Sequence, residues 1–248
     1  MPEITPIKNK EQNLRMSPEH IFLFNCNPDI PCFTKCCRDV TIVLTPYDVL
    51  CLKRDLEISS DEFLDKYTII IPKEKRLIPL VIIKMNEDDK KCPFVSEKGC
   101  SVYNNRPWPC RMYPLDMNDD GTLCYISDPG HCLGLKEKDQ WRIGDWLIDQ
   151  GIVPYDEMNT LFSEVTSPLQ AQEIEIQNPD ISRMIFMALY NLDKFKSFVF
   201  ESTFLDRFEV DPIKVEKIKR DETELLKFGF DWIKFGIFGQ ILFRVKEK

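Results

Sequence analysis

Cysteines set the chemistry available to this 248-residue chain. One group is Cys26, Cys32, Cys36 and Cys37, in N-C-N-P-D-I-P-C-F-T-K-C-C-R. A second is Cys92, Cys100 and Cys110, inside the stretch from Cys92 to Pro114. Cys132, preceded by His131, completes the set. Soft thiolates select zinc, copper(I) or iron–sulfur clusters. In a reducing compartment a dense cysteine pattern more often marks metal or redox chemistry than disulfides. Adjacent Cys36 and Cys37 are also awkward partners for two independent disulfides. Seven or eight thiolates exceed the needs of one tetrahedral ion and would leave a large negative charge around it. A [4Fe–4S] cluster takes four and leaves the others as redox partners or for a second metal. Two zinc ions would use all eight in a closed structural site. The expectation is therefore an iron–sulfur cluster with ligands drawn from Cys26, Cys32, Cys36, Cys37, Cys92, Cys100, Cys110 and Cys132, with zinc as the alternative, and with the two cysteine groups meeting in space.

The spacing excludes several common sites. No C-x-x-C occurs, which removes a zinc ribbon, a thioredoxin-like dithiol and a rubredoxin-like site. The bacterial ferredoxin run is missing. Cys32-x-x-x-Cys36 begins a radical-SAM pattern, but its third position is Asp39. No Gly-rich nucleotide loop, Ser/His/Asp set or H-E-x-x-H points to a familiar enzyme class. An iron–sulfur oxidoreductase and a methyltransferase-like protein stay open, with the substrate or protein partner unassigned. Arg106 and Arg111 lie beside Cys110 and are candidate cofactor-binding cations, able to offset thiolate charge or orient an anionic substrate; the alternative for each is an ordinary ion pair. His131 stays open between ligand and surface residue. Tyr103 and Tyr113 read as packing residues over the site, and Cys51 and Cys124 as small core residues.

The elements that must position these residues are short. Pro93, Pro107, Pro109 and Pro114 fix φ and remove backbone donors, so the second cysteine stretch reads as turns strung together. Gly99 permits a positive φ before Cys100. Such a segment needs something to tie its side chains together, and converging thiolates on a metal would supply that order. Val40–Leu44 reads as a strand, then Thr45-Pro46-Tyr47-Asp48 as a helix start with Thr45 as cap. Ser59-Ser60-Asp61-Glu62 repeats the signal as a capping box. Thr68–Ile71 and Leu77–Ile83 read as strands joined by the charged turn 72–76, and Thr122–Ile126 as another strand. Beyond Cys132 the pattern is helical, over 139–150, 154–166, 179–207, 211–220 and 221–236. The expected fold class is α+β: a small cysteine-rich metal-binding unit of short strands and loops, then an α-helical C-terminal region. The expected blocks are a flexible arm (1–20), a cysteine-cluster domain (21–138) and a helical region (139–248).

Net charge −8 and a pI near 5.0 argue against a general nucleic-acid binder. The N-terminus shows no apolar signal region, so a cytoplasmic protein is expected. No run reaches the ~18 apolar residues of a transmembrane helix. Eleven of the seventeen phenylalanines lie between Phe186 and Phe243. The apolar stretch Phe228–Phe243 reads as a buried terminal helix, with contact to a partner or a membrane surface as the minor alternative.

One discontinuous pattern resembles a known family. It comprises Cys32/Cys36/Cys37 followed by Leu44-Thr45-Pro46-Tyr47-Asp48, then Cys92-Pro93-Phe94, Gly99-Cys100-Ser101-Val102-Tyr103, Arg106-Pro107 and Cys110-Arg111-Met112-Tyr113-Pro114. Over about residues 26–135 this resembles the YkgJ-type cysteine-cluster proteins, a zinc- or iron-chelating family. The resemblance implies metal or iron–sulfur binding; one branch looks like flagellin lysine methylases. The first cluster departs from the family label, with C-x5-C-x3-C-C in place of C-x-x-C-x-x-C-C.

Overall fold

Antiparallel strand pairs, none longer than four residues, alternate with helices in a computed structural model that describes residues 15–72, 78–171 and 179–246. The fold class is α+β, with most helices in the C-terminal half. By contacts the chain forms two units. One is the chain up to Ile42 together with Met85–Tyr155; the other is Val43–Lys84 together with the chain from Asp156 onward. The segment 43–84, read from sequence as part of the cysteine-rich block, thus packs with the C-terminal helices.

In the first unit, Ile21–Leu23 pairs antiparallel with Gln140–Arg142, and Leu115–Met117 with Leu123–Tyr125. The helix expected over 139–150 accordingly begins as a strand and turns helical only at Ile143–Asp149. Trp141 explains the difference: its indole Nε1 donates to the Phe24 carbonyl at 3.1 Å, which suits an extended backbone there. The core gathers Met16, Phe22, Phe24, Met112, Leu115, Leu123, Cys132, Leu135, Ile143, Trp146 and Ile152. Phe22 meets Trp146 edge-on at 5.3 Å, a favourable aromatic geometry.

The loose arm expected over 1–20 is corrected from Arg15 onward; residues 1–14 lie outside the described residues. Met16 is fully buried, and its backbone N–H and C=O both pair with Leu123 at 2.8 Å. Burying a methionine side chain is worth about 1.5–3 kcal/mol, and with the two backbone bonds it anchors the segment to the strand at Leu123.

In the second unit, Val43–Leu44 and Thr68–Ile71 flank the central strand Leu80–Ile83. Residues 73–77, which hold most of the expected charged turn and the start of the expected strand 77–83, lie outside the described residues. The helix Pro46–Asp55 starts as its sequence predicts. Thr45 Oγ1 accepts from Asp48 N, and Asp48 Oδ2 accepts from Thr45 N at 2.8 Å, a reciprocal cap. Ser59 caps the helix Ser60–Tyr67 by accepting from Glu62 N. The buried Lys53 ammonium reaches Glu222 and Asp193. Burial alone would raise both carboxyls; hydrogen bonds from Ser60 to Asp193, from Arg54 to Glu222 and from Lys53 to both outweigh it and hold them below the usual range.

The helix expected over 179–207 is three: Pro179–Tyr190, Leu192–Glu201 and Phe204–Arg207. Asn191 ends the first and caps the second by accepting from Lys194 N. Ser202 is extended, and its Oγ accepts from Phe204 N to open the third. Polar side chains that bond nearby backbone are natural breaks in an apolar helical run. The helices Val153–Ala171, Pro212–Arg220 and Glu222–Phe238 follow the remaining expectations closely. Rings of Phe204, Phe208, Phe228, Phe243 and Trp232 pack with centroids about 5–6 Å apart. The terminal helix buries Leu225, Leu226, Phe228, Phe230 and Ile233. Among the described residues no helix is long and apolar enough to cross a membrane.

Gly229 is required where that helix crosses Pro179–Tyr190. A Cβ at this position would stand 2.5 Å from the Ala188 carbonyl oxygen, a backbone atom that cannot swing away. Gly229→Ala is expected to cost about 1–3 kcal/mol by overpacking, although alanine is the better helix former. Urea denaturation checks this; a gain in stability, the ordinary result of Gly→Ala in a helix, would show that the helices do not approach so closely.

Candidate metal centre

Backbone hydrogen bonds bring the two cysteine groups together in the first unit. After Ile21–Leu23 the chain is stitched to the segment beyond Cys132: Asn25 N donates to Gly134 O at 3.1 Å, and Leu133 N donates to Cys32 Sγ at 3.2 Å. Cys36 and Cys37 lie on a single 3₁₀ turn, Lys35–Cys37. Immediately after it, Arg38 bridges to Lys91, Asp39 N donates to Lys90 O, and Cys92 N donates to Cys37 O at 2.8 Å. Thr34, Asp39 and Lys90 all take positive φ to make these turns.

The second group is carried by a small hairpin, Val95–Ser96 with Gly99–Cys100, and by the short helix Trp108–Met112. Gly99 has φ 109°, and a Cβ there would lie 3.2 Å from the Phe33 ring. Both facts call for glycine, so the hairpin can close against the turn that leads to Cys36.

The sulfurs perturb one another as near neighbours do. Cys26 is partly open to solvent, yet its thiol is pushed up to about 11, first by the protein crowded around its sulfur and then by Cys36, Cys132 and Cys32. The Cys37 thiol donates to Cys36. That bond lowers Cys36 to about 7, against burial, and raises Cys37 strongly; burial and the charges of Cys36, Cys110 and Cys92 raise Cys37 further. Burial raises Cys92, a backbone bond from Phe94 opposes it, and Cys100 adds to it. Burial raises Cys132, with Tyr113 opposing and Cys32 adding. Tyr113, whose hydroxyl meets Ser127 Oγ at 3.0 Å, is raised by burial and feels Cys132 and Cys36.

Cys26 thus feels Cys32, Cys36 and Cys132, Cys37 feels Cys36, Cys92 and Cys110, and the Cys36–Cys37 contact links the two cysteine groups. Among the described residues no three His, Cys, Asp or Glu side chains are already placed to hold one ion between them. Rotation about χ1 can relocate a sulfur without moving its main chain. The donor chemistry, thiols from several loops, fits a thiophilic metal. His131 is turned outward with its side chain 85% exposed, its Nδ1 2.8 Å from Asp128 Oδ2. Cys51 is buried in the helix Pro46–Asp55 of the other unit, and Cys124 sits opposite Asp116 on a strand.

Arg106 and Arg111 are buried, and they donate to carbonyls, a side-chain amide and a hydroxyl. Arg106 donates to Tyr103 O and Gln150 Oε1, both at 2.6 Å, and lies over the Tyr103 ring at 3.9 Å. Burial lowers its pKa, while Tyr103, Cys110 and Cys100 favour its charge. Arg111 donates to Arg106 O at 2.9 Å, to Gln150 O and Asn104 O at 2.5 Å, and to the Tyr155 hydroxyl at 3.0 Å. Gln150, Tyr155 and Ser127 carry no motif and were not found from the sequence; they lie 44, 44 and 14 positions from the residues they hold.

Thiols drawn together from several turns and one short helix are the donor chemistry of a thiophilic metal site. Residues 25–140 match a family model, CxxCxxCC, described as "Putative zinc- or iron-chelating domain". The match covers a little under half of the chain, spans the cysteine clusters, and supports metal binding by this segment. No curated protein and no solved structure matches the chain.

Arg111→Lys is expected to destabilise the protein by about 2–4 kcal/mol, because an ammonium cannot satisfy four acceptors in the geometry of a planar fork. Denaturant titration at constant metal loading reads this. A change below about 0.5 kcal/mol would mean that these carbonyls do not depend on the guanidinium.

Proposed function

We propose that residues 25–140 hold an iron–sulfur cluster through the clustered cysteines, in a cytoplasmic protein whose centre serves redox or group-transfer chemistry. One observation carries the reading: cysteines from separate segments, more than 90 residues apart at their extremes, are joined in one unit by main-chain bonds such as Cys92 N to Cys37 O. The clustered thiols outnumber the four that a four-iron cluster takes, and His131 faces solvent. Such a group supplies one-electron chemistry when bound.

The chain's own residues have definable tasks. Arg106 keeps a fixed positive charge beside Cys100 and Cys110, anchored by the Tyr103 carbonyl and Gln150. Tyr113, held by Ser127, places a hydroxyl at Cys132. Hydrogen bonds and charges beside ligand sulfurs tune a metal centre's potential. Arg111, on the same short helix as Cys110, ties that helix to the carbonyls of Asn104, Arg106 and Gln150.

Zinc is the second reading, favoured by the count of sulfurs: eight serve two four-coordinate ions in a non-enzymatic structural module. Anaerobic purification with iron, sulfide and zinc analysis separates the two. A brown protein with broad absorption that bleaches in air is expected. A colourless preparation with stoichiometric zinc, even after expression with iron and a cluster-assembly system, would overturn the iron–sulfur reading.

A further inference from the structure

We propose that the strand Thr68–Ile71 pairs antiparallel with the same strand of a second copy of this chain, so that two three-stranded sheets join into one of six strands. The proposal is independent of the metal-binding reading above.

The three-stranded sheet has two edges, and they differ. Val43–Leu44 is two residues long and runs directly into the helix that Thr45 caps, so it offers little to pair with. Thr68–Ile71 is four residues long and holds no charge, proline or glycine. Edge strands are commonly guarded by charges, proline or bulges, and none stands within this one. Its three isoleucines give it the composition of an interior strand, apolar on both faces. Ile69 and Ile71, 46% and 38% exposed, share a face with Ile82, Leu80 and the exposed Val43. Ile70 points to the other face, where Leu44, Thr68, Val81 and Ile83 are all buried, yet Ile70 itself is 42% exposed. The core beneath the sheet therefore ends short of this edge.

The backbone points the same way. Lys84 N donates to Tyr67 O at 2.8 Å. In an antiparallel ladder the hydrogen-bonded pairs alternate, so Ile69–Ile82 and Ile71–Leu80 exchange bonds, and Ile70 turns its N–H and C=O away from Leu80–Ile83. Among the described residues no further strand lies on that side.

A second copy is the occupant because the strand complements itself. Placed antiparallel about a two-fold axis at Ile70, that residue exchanges both outward backbone bonds with its counterpart. Ile69 then stands beside the counterpart of Ile71 on the opposite face. These pairs are β-branched aliphatics against their own kind, and no like charges meet within the strands, although each chain carries a net charge of −8. Pro72, which lacks an N–H, ends the ladder immediately after Ile71. The two-fold pairing occupies both free edges at once and closes as a dimer. With four residues from each copy the contact is small, so the dimer is expected to dissociate on dilution.

The test uses the full-length chain purified anaerobically with reductant, followed by sedimentation equilibrium from low micromolar to hundreds of micromolar protein. The mass is expected to rise from 29.2 kDa toward twice that value. Ile70→Lys sets two ammonium groups face to face, and Ile70→Pro removes the outward donor; both should stay monomeric at every concentration. Ile213→Lys, at an exposed isoleucine on the helix Pro212–Arg220, should dimerise like the unsubstituted protein. A dimer that survives either change at Ile70, or that is lost with Ile213→Lys, would overturn the proposal. So would a monomer throughout, which would leave this edge to a strand from another protein. Should a variant misfold, amide exchange in the unsubstituted protein decides. The Ile70 N–H is expected to exchange more slowly as the dimer fills, and a dimer in which that rate does not change refutes pairing at this strand.

Discussion

The Arg111 guanidinium sits where a loop-rich chain would otherwise leave buried carbonyls without donors. It meets the carbonyls of Asn104, Arg106 and Gln150 and the hydroxyl of Tyr155. Four prolines in the stretch Cys92–Pro114 have removed the amides that a helix or sheet would have offered. A buried acceptor left unpaired costs about 1–3 kcal/mol, so a single side chain bridging several of them sets the shape of the segment. With that segment fixed, Cys100 and Cys110 stand on a defined surface, and the pairing of Cys37 with Cys92 brings the first cluster to it. Arg106, one turn away, is oriented by the same Gln150 and keeps its charge near the sulfurs.

What could be read from the sequence follows from how local each signal is. Thr45, Pro46 and Asp48 define a helix start within four residues, and the cap forms as written. Gly99 before Cys100 foretold a positive φ, and φ is 109°. The cysteine-cluster resemblance holds because its residues are themselves the signal. Long-range pairing left less trace. Gln140–Arg142 becomes a strand only because Ile21–Leu23, more than 100 residues earlier, lies beside it. The burial of Met16 depends on Leu123 in the same way. The break at Asn191 was masked by the apolar period on either side. The arginines show the limit most plainly. Their type and place suggested a task toward an anion, whereas the acceptors that take their hydrogen bonds, at Gln150, Asn104, Arg106 and Tyr103, are mostly main-chain atoms and invisible to motif reading.

X-ray absorption at the K-edge of the metal carried by anaerobically purified protein tests the central claim, that clustered cysteine sulfur is the ligand. The account predicts a first shell of sulfur alone, with four sulfurs to each metal atom. A first shell dominated by nitrogen or oxygen would contradict it.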